Sequence, residues 1–117
     1  LNASGGLAAA HAIHNGLTVL PQTHPFMHGE KVAFGLLAQL ALENAPKAEF
    51  DEVLAFCRQI GLPTTLAALG LKDASDDELK KAAAASCAED ETMHNMPFAV
   101  TPQDVFAAMK VADKLGA

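Results

Sequence analysis

The sequence contains no tryptophan and no tyrosine, and aromatic residues make up only 5% of its 117 residues. β-Branched residues are also sparse, which disfavours a β-sheet, whereas the abundant alanine and leucine favour helices. No apolar run reaches the roughly 18 residues of a membrane-spanning helix. Residues 1–6 lack the basic start of a secretory signal. We therefore expect a helical protein that does not interact with a membrane and carries no signal peptide.

Positive charge is scarce, with 8 Lys and Arg against 14 Asp and Glu and a net charge of −6. Binding to a phosphate backbone requires clustered Lys and Arg, so the balance argues against a nucleic-acid partner. It argues equally against an anionic membrane surface. The acidic runs at residues 73–78 and 89–91 are expected to be solvated helix ends.

Cysteine is limited to Cys57 and Cys87, and no CxxC pair is present. This spacing is typical of two reduced thiols within helices of a cytoplasmic protein. The length fits one domain over residues 1–117, with enough apolar sequence to build a core.

The periodicity of apolar residues predicts five or six helices and no strand, that is, an all-α multi-helix bundle. The predicted helices cover residues 6–20, 28–43, 48–60 and 75–88, a short helix covers 64–69, and the last one opens at Thr101-Pro102. Pro21 would stop the first helix. Ser75 with Glu78 forms a capping box at the start of the fifth, and Thr101 caps the last.

Apolar spacing also predicts which faces are buried. On the first helix, Leu7, Ala10, His11, His14, Leu17 and Thr18 fall on one face. The second helix is apolar on nearly all sides and should be central. In the third helix, the predicted core stripe runs from Phe50 through Leu54 and Cys57 to Ile60.

His11 and His28 are the candidate metal ligands, because neutral imidazole is the commonest protein ligand for divalent transition metals. A catalytic zinc takes three protein ligands, so this pair would supply two of them. Structural roles remain open, with His11 at the edge of a helical core and His28 in a first helical turn. His24 is expected in an exposed loop, and His94 would line a pocket or hold its loop.

Several ordered stretches resemble one known family. They are residues 4–18, which include His11-Ala12-Ile13-His14-Asn15-Gly16, then 28–35, which open with His28-Gly29-Glu30-Lys31, then 42–46, 60–63, 91–97 and the start of the last helix at Thr101-Pro102. These stretches resemble glycerol dehydrogenases, which are iron-containing, or group III, polyol dehydrogenases. The resemblance covers essentially the whole chain and implies that it is the helical C-terminal domain of such an enzyme.

By this resemblance, His11 and His28 match the two histidine ligands of the family's divalent metal, usually zinc. The third ligand is an aspartate upstream of this segment, and no residue here corresponds to it. His14 and Asn15 match family residues that could orient His11 or contact substrate. The Rossmann-like N-terminal domain that binds NAD is absent from residues 1–117.

The implied reaction is NAD-dependent oxidation of glycerol to dihydroxyacetone, in an enzyme expected to be a homo-oligomer. The chain alone, without its N-terminal domain, is expected to be inactive. The alternatives are a stand-alone helical binding or scaffold module with a vestigial metal site, and a generic bundle with coincidental histidines. A fragment should expose an apolar patch near the histidines, predicted from Ala8, Ala9, Ala10, Phe26, Met27, Met96 and Phe98.

Overall fold

The computed structural model describes residues 7–117, and this part of the chain contains helices and short 3₁₀ turns but no β-strand. Within it, the α-helices are α1 (Ala8–Leu17), α2 (His28–Leu42), α3 (Lys47–Ile60), α4 (Asp76–Ser86) and α5 (Pro102–Gly116). Single 3₁₀ turns lie at Pro21–Thr23, Ala67–Leu69 and Thr92–Asn95. The predicted all-α class is confirmed, although the predicted helix at residues 64–69 is only one of these turns. None of the described helices combines the length and apolar character needed to cross a bilayer.

Helix α2 lies at the centre, as its uniformly apolar sequence predicts. It packs against α1, α3 and α5, and Phe34 and Leu37 are fully buried. Gln39 is also fully buried, and its Oε1 accepts a hydrogen bond from the backbone N–H of Ala10 at 2.8 Å. That N–H lies in the first turn of α1, where no carbonyl within the helix is available to it. The buried side chain of Gln39 therefore provides the hydrogen-bond acceptor that a backbone N–H in the first turn of α1 would otherwise lack.

Helix α1 packs closely against α2 and α4 because small residues line the contacts. A Cβ on Gly35 of α2 would lie 2.7 Å from the carbonyl oxygen of Ala10. A side chain on Gly16 would collide with Ser86 and with the carbonyl oxygen of Ala82, both on α4. The backbones can approach this closely only where a Cβ is missing, so the two glycines set the spacing of three helices.

The prediction for α1 was wrong in two respects. The helix ends at Leu17 rather than at residue 20, because the Thr23 side chain returns and its hydroxyl donates to the carbonyl oxygen of Leu17 at 2.9 Å. The buried face is also rotated, since Leu7 is 44% exposed and His11 is exposed, whereas Ala12 and Ile13 are fully buried. Small alanines rather than the larger Leu7 face the crowded interior. The predicted start at Gly6 lies outside the described residues.

The remaining helices begin where their caps predict. At α4, Ser75 Oγ accepts from the backbone N–H of Glu78 at 3.1 Å, and at α5, Thr101 Oγ1 accepts from Asp104 N–H at 3.2 Å. Helix α3 ends at Ile60 and is capped by Gly61, which has φ 81°, a left-handed value that suits glycine. Ile60 was predicted in the core but is 54% exposed, because it is the last residue of α3 and the chain leaves the helix directly after it.

Cys57 is buried on α3, and Cys87 is half-buried at the end of α4 rather than within it. Both thiols are free. Burial raises the pKa of both thiols above the usual value, and the carboxylate of Asp104 contributes at Cys87. The reduced state of the two cysteines stays a prediction.

The predicted apolar patch is largely absent from the surface. Ala9 and Ala10 are fully buried, Ala8 is buried against its neighbours, and Met96 is 6% exposed, so these four belong to the core of the chain itself. The loop after α4 folds over the start of α1, where Thr92 Oγ1 donates to the carbonyl oxygen of Ala8 at 2.7 Å, and Ala10 packs on α2. Phe26 is half-buried against the core, and only two of the predicted patch residues, Met27 and Phe98, are well exposed.

Candidate metal centre

Three histidines lie together where α1 passes the start of α2. His11 and His14 are on α1, and His28 is the first residue of α2. The ring centres of His11 and His28 are 6.0 Å apart, and those of His14 and His28 are 4.2 Å apart in an edge-on arrangement. His11 and His28 are exposed, while His14 is half-buried. The structure therefore brings together the two histidines singled out from the sequence and adds His14 to them.

The connection between α1 and α2 produces this arrangement. The 3₁₀ turn at Pro21–Thr23 reverses the chain after α1, so that α2 returns alongside it. His24 stabilises this connection, since its Nε2 lies 2.8 Å from the carbonyl oxygen of Thr18. At the start of α2, Glu30 Oε1 accepts from the backbone N–H of Met27 at 2.8 Å, which fixes the first turn that carries His28.

A hydrogen-bond network links His28 to a distant carboxylate. His28 Nδ1 lies 3.1 Å from His14 Nε2, and His14 Nδ1 lies 3.0 Å from Asn15 Oδ1. Asn15 Nδ2 in turn donates to Glu91 Oε1 at 3.1 Å. The contact made by His14 is thus to His28 and not to His11, the ligand that the resemblance suggested it could orient.

Glu91 was not recognised as a site residue from the sequence. It belongs to an acidic run that was interpreted as a solvated helix end, but within this run Glu89 and Asp90 are exposed whereas Glu91 is half-buried. Glu91 is 76 positions away from Asn15, and no local sequence signal indicates that contact. The contact forms because the loop leading to the 3₁₀ turn at Thr92–Asn95 packs on α1.

The surroundings of His14 disfavour its protonated form. Burial lowers the pKa of His14 below its usual value, and the electrostatic influence of His28 and Lys31 lowers it further, while the hydrogen bond that His14 donates to Asn15 Oδ1 acts in the opposite direction. Lys31 is one turn beyond His28 on α2 and is only 7% exposed. A neutral imidazole retains one lone pair, so His14 can accept a hydrogen bond as well as donate one.

The rings of His11 and His28 suit two positions of a metal site. Within residues 7–117, no group of three or more His, Cys, Asp or Glu side chains is placed to hold a metal ion. Imidazoles that share one tetrahedral ion at a metal–nitrogen distance of about 2.1 Å have ring centres roughly 5–6 Å apart. The 6.0 Å between His11 and His28 is close to that separation. The donor set therefore fits a divalent transition metal that takes its other ligands from elsewhere.

His94 lies outside this cluster. Its Nε2 is 3.0 Å from the carbonyl oxygen of Ala88, so its ring closes the loop after α4. Both roles considered from the sequence are present, because His94 holds its loop and also lines an open pocket together with Met96, Pro97 and Phe98.

Comparison with known proteins finds relatives of this sequence and fold. No family model matches the chain. The glycerol dehydrogenases of Citrobacter freundii and Thermotoga maritima are each 58% identical to it over 113 residues, which is 97% of the chain and 31% of each relative. A crystal structure of a probable glycerol dehydrogenase from Sinorhizobium meliloti matches 93% of the chain and 31% of its own length, with a TM-score of 0.90 and 42% identity. The chain is therefore similar in sequence and in fold to part of the glycerol dehydrogenases, and it spans about a third of the length of the relatives it matches.

Proposed function

We propose that this chain is the helical C-terminal domain of an NAD-dependent glycerol dehydrogenase that oxidises glycerol to dihydroxyacetone. The observation that carries the proposal is the pairing of His11 and His28 from adjacent helices, with 6.0 Å between their ring centres, in a chain similar to part of the glycerol dehydrogenases. The proposal includes a homo-oligomeric enzyme in the cytoplasm, and the free thiols of Cys57 and Cys87 agree with a reducing compartment.

His11 and His28 would hold the metal, for which we propose zinc. Both rings are exposed, so a ligand from another part of the protein and a substrate oxygen can reach the same point. By family resemblance, the third ligand is an aspartate outside this chain. A bound zinc ion supplies Lewis acidity, which lowers the pKa of an alcohol hydroxyl so that its proton can leave near neutral pH.

The residues of this chain orient the reacting groups. Helices α1 and α2 hold the two imidazoles on a rigid scaffold, which limits the positions that a substrate hydroxyl can take. NAD, bound by the part of the protein outside this chain, provides the hydride acceptor. Met27 precedes His28 and is 72% exposed, so its apolar side chain is available to pack against that other part.

A stand-alone binding or scaffold module with a vestigial metal site is the second candidate. It is favoured by the lack of a third metal ligand within residues 7–117, and by the burial of most residues predicted to form an exposed apolar patch. The two candidates differ in whether the paired histidines still support a reaction when the rest of an enzyme is present.

Zinc titration of the chain by calorimetry tests the metal pair. We expect weak binding, with a Kd on the order of tens of micromolar or poorer, because one charged ligand of a three-ligand site is missing. The His11→Ala, His28→Ala double variant should lose this binding. A His94→Ala variant is the matched control, since His94 is also exposed but lies outside the cluster. Unchanged zinc binding by the double variant would show that the pair is not the site.

A chimaera separates the enzyme from the vestigial module. The matching 113 residues of the Citrobacter freundii glycerol dehydrogenase are replaced by those of this chain. We expect NAD-dependent glycerol oxidation to be retained, and to be lost when His11 and His28 are both changed to Ala. A folded, NAD-binding chimaera without activity would favour the vestigial module.

A further inference from the structure

The network that runs from Glu91 to His28 has one chemically fixed end. The carboxylate of Glu91 can only accept hydrogen bonds, so the group of Asn15 that faces it is the Nδ2 amide nitrogen, at 3.1 Å. This fixes the orientation of the Asn15 amide and directs its Oδ1 toward His14 Nδ1, 3.0 Å away. An amide oxygen only accepts, so His14 Nδ1 must carry a hydrogen and donate it.

The direction of the next hydrogen bond follows from that assignment. In the neutral form of His14, a hydrogen on Nδ1 leaves the lone pair on Nε2, so His14 Nε2 accepts. Its partner at 3.1 Å is His28 Nδ1, which must therefore be the protonated nitrogen of His28. The lone pair of a neutral His28 is then on Nε2, the nitrogen that takes no part in the network.

We propose that Asn15 and Glu91 are positioning residues that act through His14 to fix His28 in the tautomer protonated at Nδ1, leaving Nε2 as its metal-donor atom. The part of this inference that concerns metal rests on the proposed function, while the tautomer can be measured without metal. Hydrogen-bond partners of a ligating imidazole fix its tautomer and orientation and increase its basicity, and their loss typically costs 10- to 100-fold in metal affinity.

The two proposed metal ligands differ in whether a hydrogen bond from the described residues holds their ring. His28 is exposed, and its ring would otherwise exchange between tautomers and rotamers, but the contact with His14 holds it. Within residues 7–117, no hydrogen-bond partner holds the ring of His11. The network therefore makes His28 a preorganised ligand of the proposed site.

Nitrogen-15 NMR of the metal-free chain at neutral pH tests the tautomer directly. We expect His28 to show a protonated Nδ1 and an unprotonated Nε2. In Asn15→Leu and Glu91→Leu, the two nitrogens of His28 should move toward the averaged shifts of a freely exchanging ring. Glu91→Gln should keep the original pattern, because the glutamine oxygen still accepts from Asn15. Glu89→Leu is the matched control in the same loop, and circular dichroism confirms that each variant is folded.

Cobalt titration followed by absorbance tests the consequence for metal binding. We expect Asn15→Leu to weaken cobalt binding by about 10-fold or more and Glu91→Leu by somewhat less, with Glu91→Gln and Glu89→Leu close to the unmodified chain. If the chain binds cobalt through His11 and His28 but Asn15→Leu alters neither affinity nor tautomer, the positioning inference fails while the proposed metal site stands. If His28 has the expected tautomer but the chain binds no cobalt, the metal function fails and the hydrogen-bond assignment stands.

Discussion

Helices α1 and α3 differ in how firmly the rest of the molecule holds them. Most residues of α1 are buried against α2, α4 and the 3₁₀ turn at Thr92–Asn95. In contrast, α3 buries only Phe50, Leu54 and Cys57 and packs mainly on α2, leaving Phe56 and Ile60 more than half exposed. The helix that carries His11 and His14 is therefore the one fixed from several sides, which suits a site that requires accurate geometry.

The largest expected difference is between the stability losses caused by truncating one side chain in α1 and one in α3. Ile13 of α1 is fully buried, so Ile13→Ala removes packed methylene groups and leaves a cavity, and it should lower the free energy of unfolding by about 2–5 kcal/mol. Phe56 of α3 is 58% exposed, and Phe56→Ala should cost less than about 1 kcal/mol. Urea unfolding followed by circular dichroism measures both. Similar losses for the two variants would contradict the difference between the helices.

A smaller effect is expected from adding a methyl group at the contact of α1 with α4. Gly16→Ala places a Cβ against Ser86 and the carbonyl oxygen of Ala82, and the overpacking should destabilise the chain by about 1–3 kcal/mol. The matched control is Gly29→Ala in α2, where a Cβ would meet nothing within 4 Å. That control should be neutral or slightly stabilising, since alanine favours helix more than glycine does. A neutral Gly16→Ala in the same unfolding assay would show that α1 and α4 can move apart.

The smallest expected effect is a pH dependence at the surface around α1. Glu78 of α4 accepts a hydrogen bond from Gln22, in the turn that follows α1, at 3.0 Å, and this bond, with those from Ser75, lowers the pKa of Glu78. A carboxylate with a lowered folded-state pKa stabilises the fold above its unfolded pKa, and this contribution is lost as the pH falls through the folded-state value.

Stability measured by urea unfolding should therefore fall at acid pH, below the unperturbed carboxyl value of 4.5, and the fall should be smaller in Glu78→Gln. On α3, Asp51 pairs with Lys47 at 2.8 Å, but both side chains are at least half exposed and belong to the same helix. Asp51→Asn is thus the matched control and should change stability by less than about 0.5 kcal/mol at neutral pH. An equal acid loss in Glu78→Gln and the unmodified chain would rule out Glu78 as its source.

The features predicted correctly from the sequence are those that depend on local chemistry. The caps at Ser75 and Thr101 and the apolar character of α2 are properties of short segments, and the structure has them where expected. The rotated face of α1 was missed because Ala-rich helices have little periodic contrast between large apolar and polar residues. Ile60 was missed because periodicity does not indicate where a neighbouring helix stops covering a face.

The site was predictable only in part for the same reason. His11 and His28 were singled out by residue type and resemblance, and the structure brings their rings together. The contact of Asn15 with Glu91 depends on how the loop after α4 folds back over α1, and this is a tertiary property. Local residue spacing carries no information about a contact between two residues that are 76 positions apart.

The buried amide of Gln39 has a consequence for the register of the two helices that carry the histidines. Ala10 is held twice by α2, through its N–H on Gln39 and through its carbonyl against Gly35. A slide of α1 by one residue would shift it by about 1.5 Å and turn it by roughly 100°, which would carry His11 away from His28. These two contacts of Ala10 are buried in the core. The exposed residues around the site can therefore vary without changing the separation of His11 and His28.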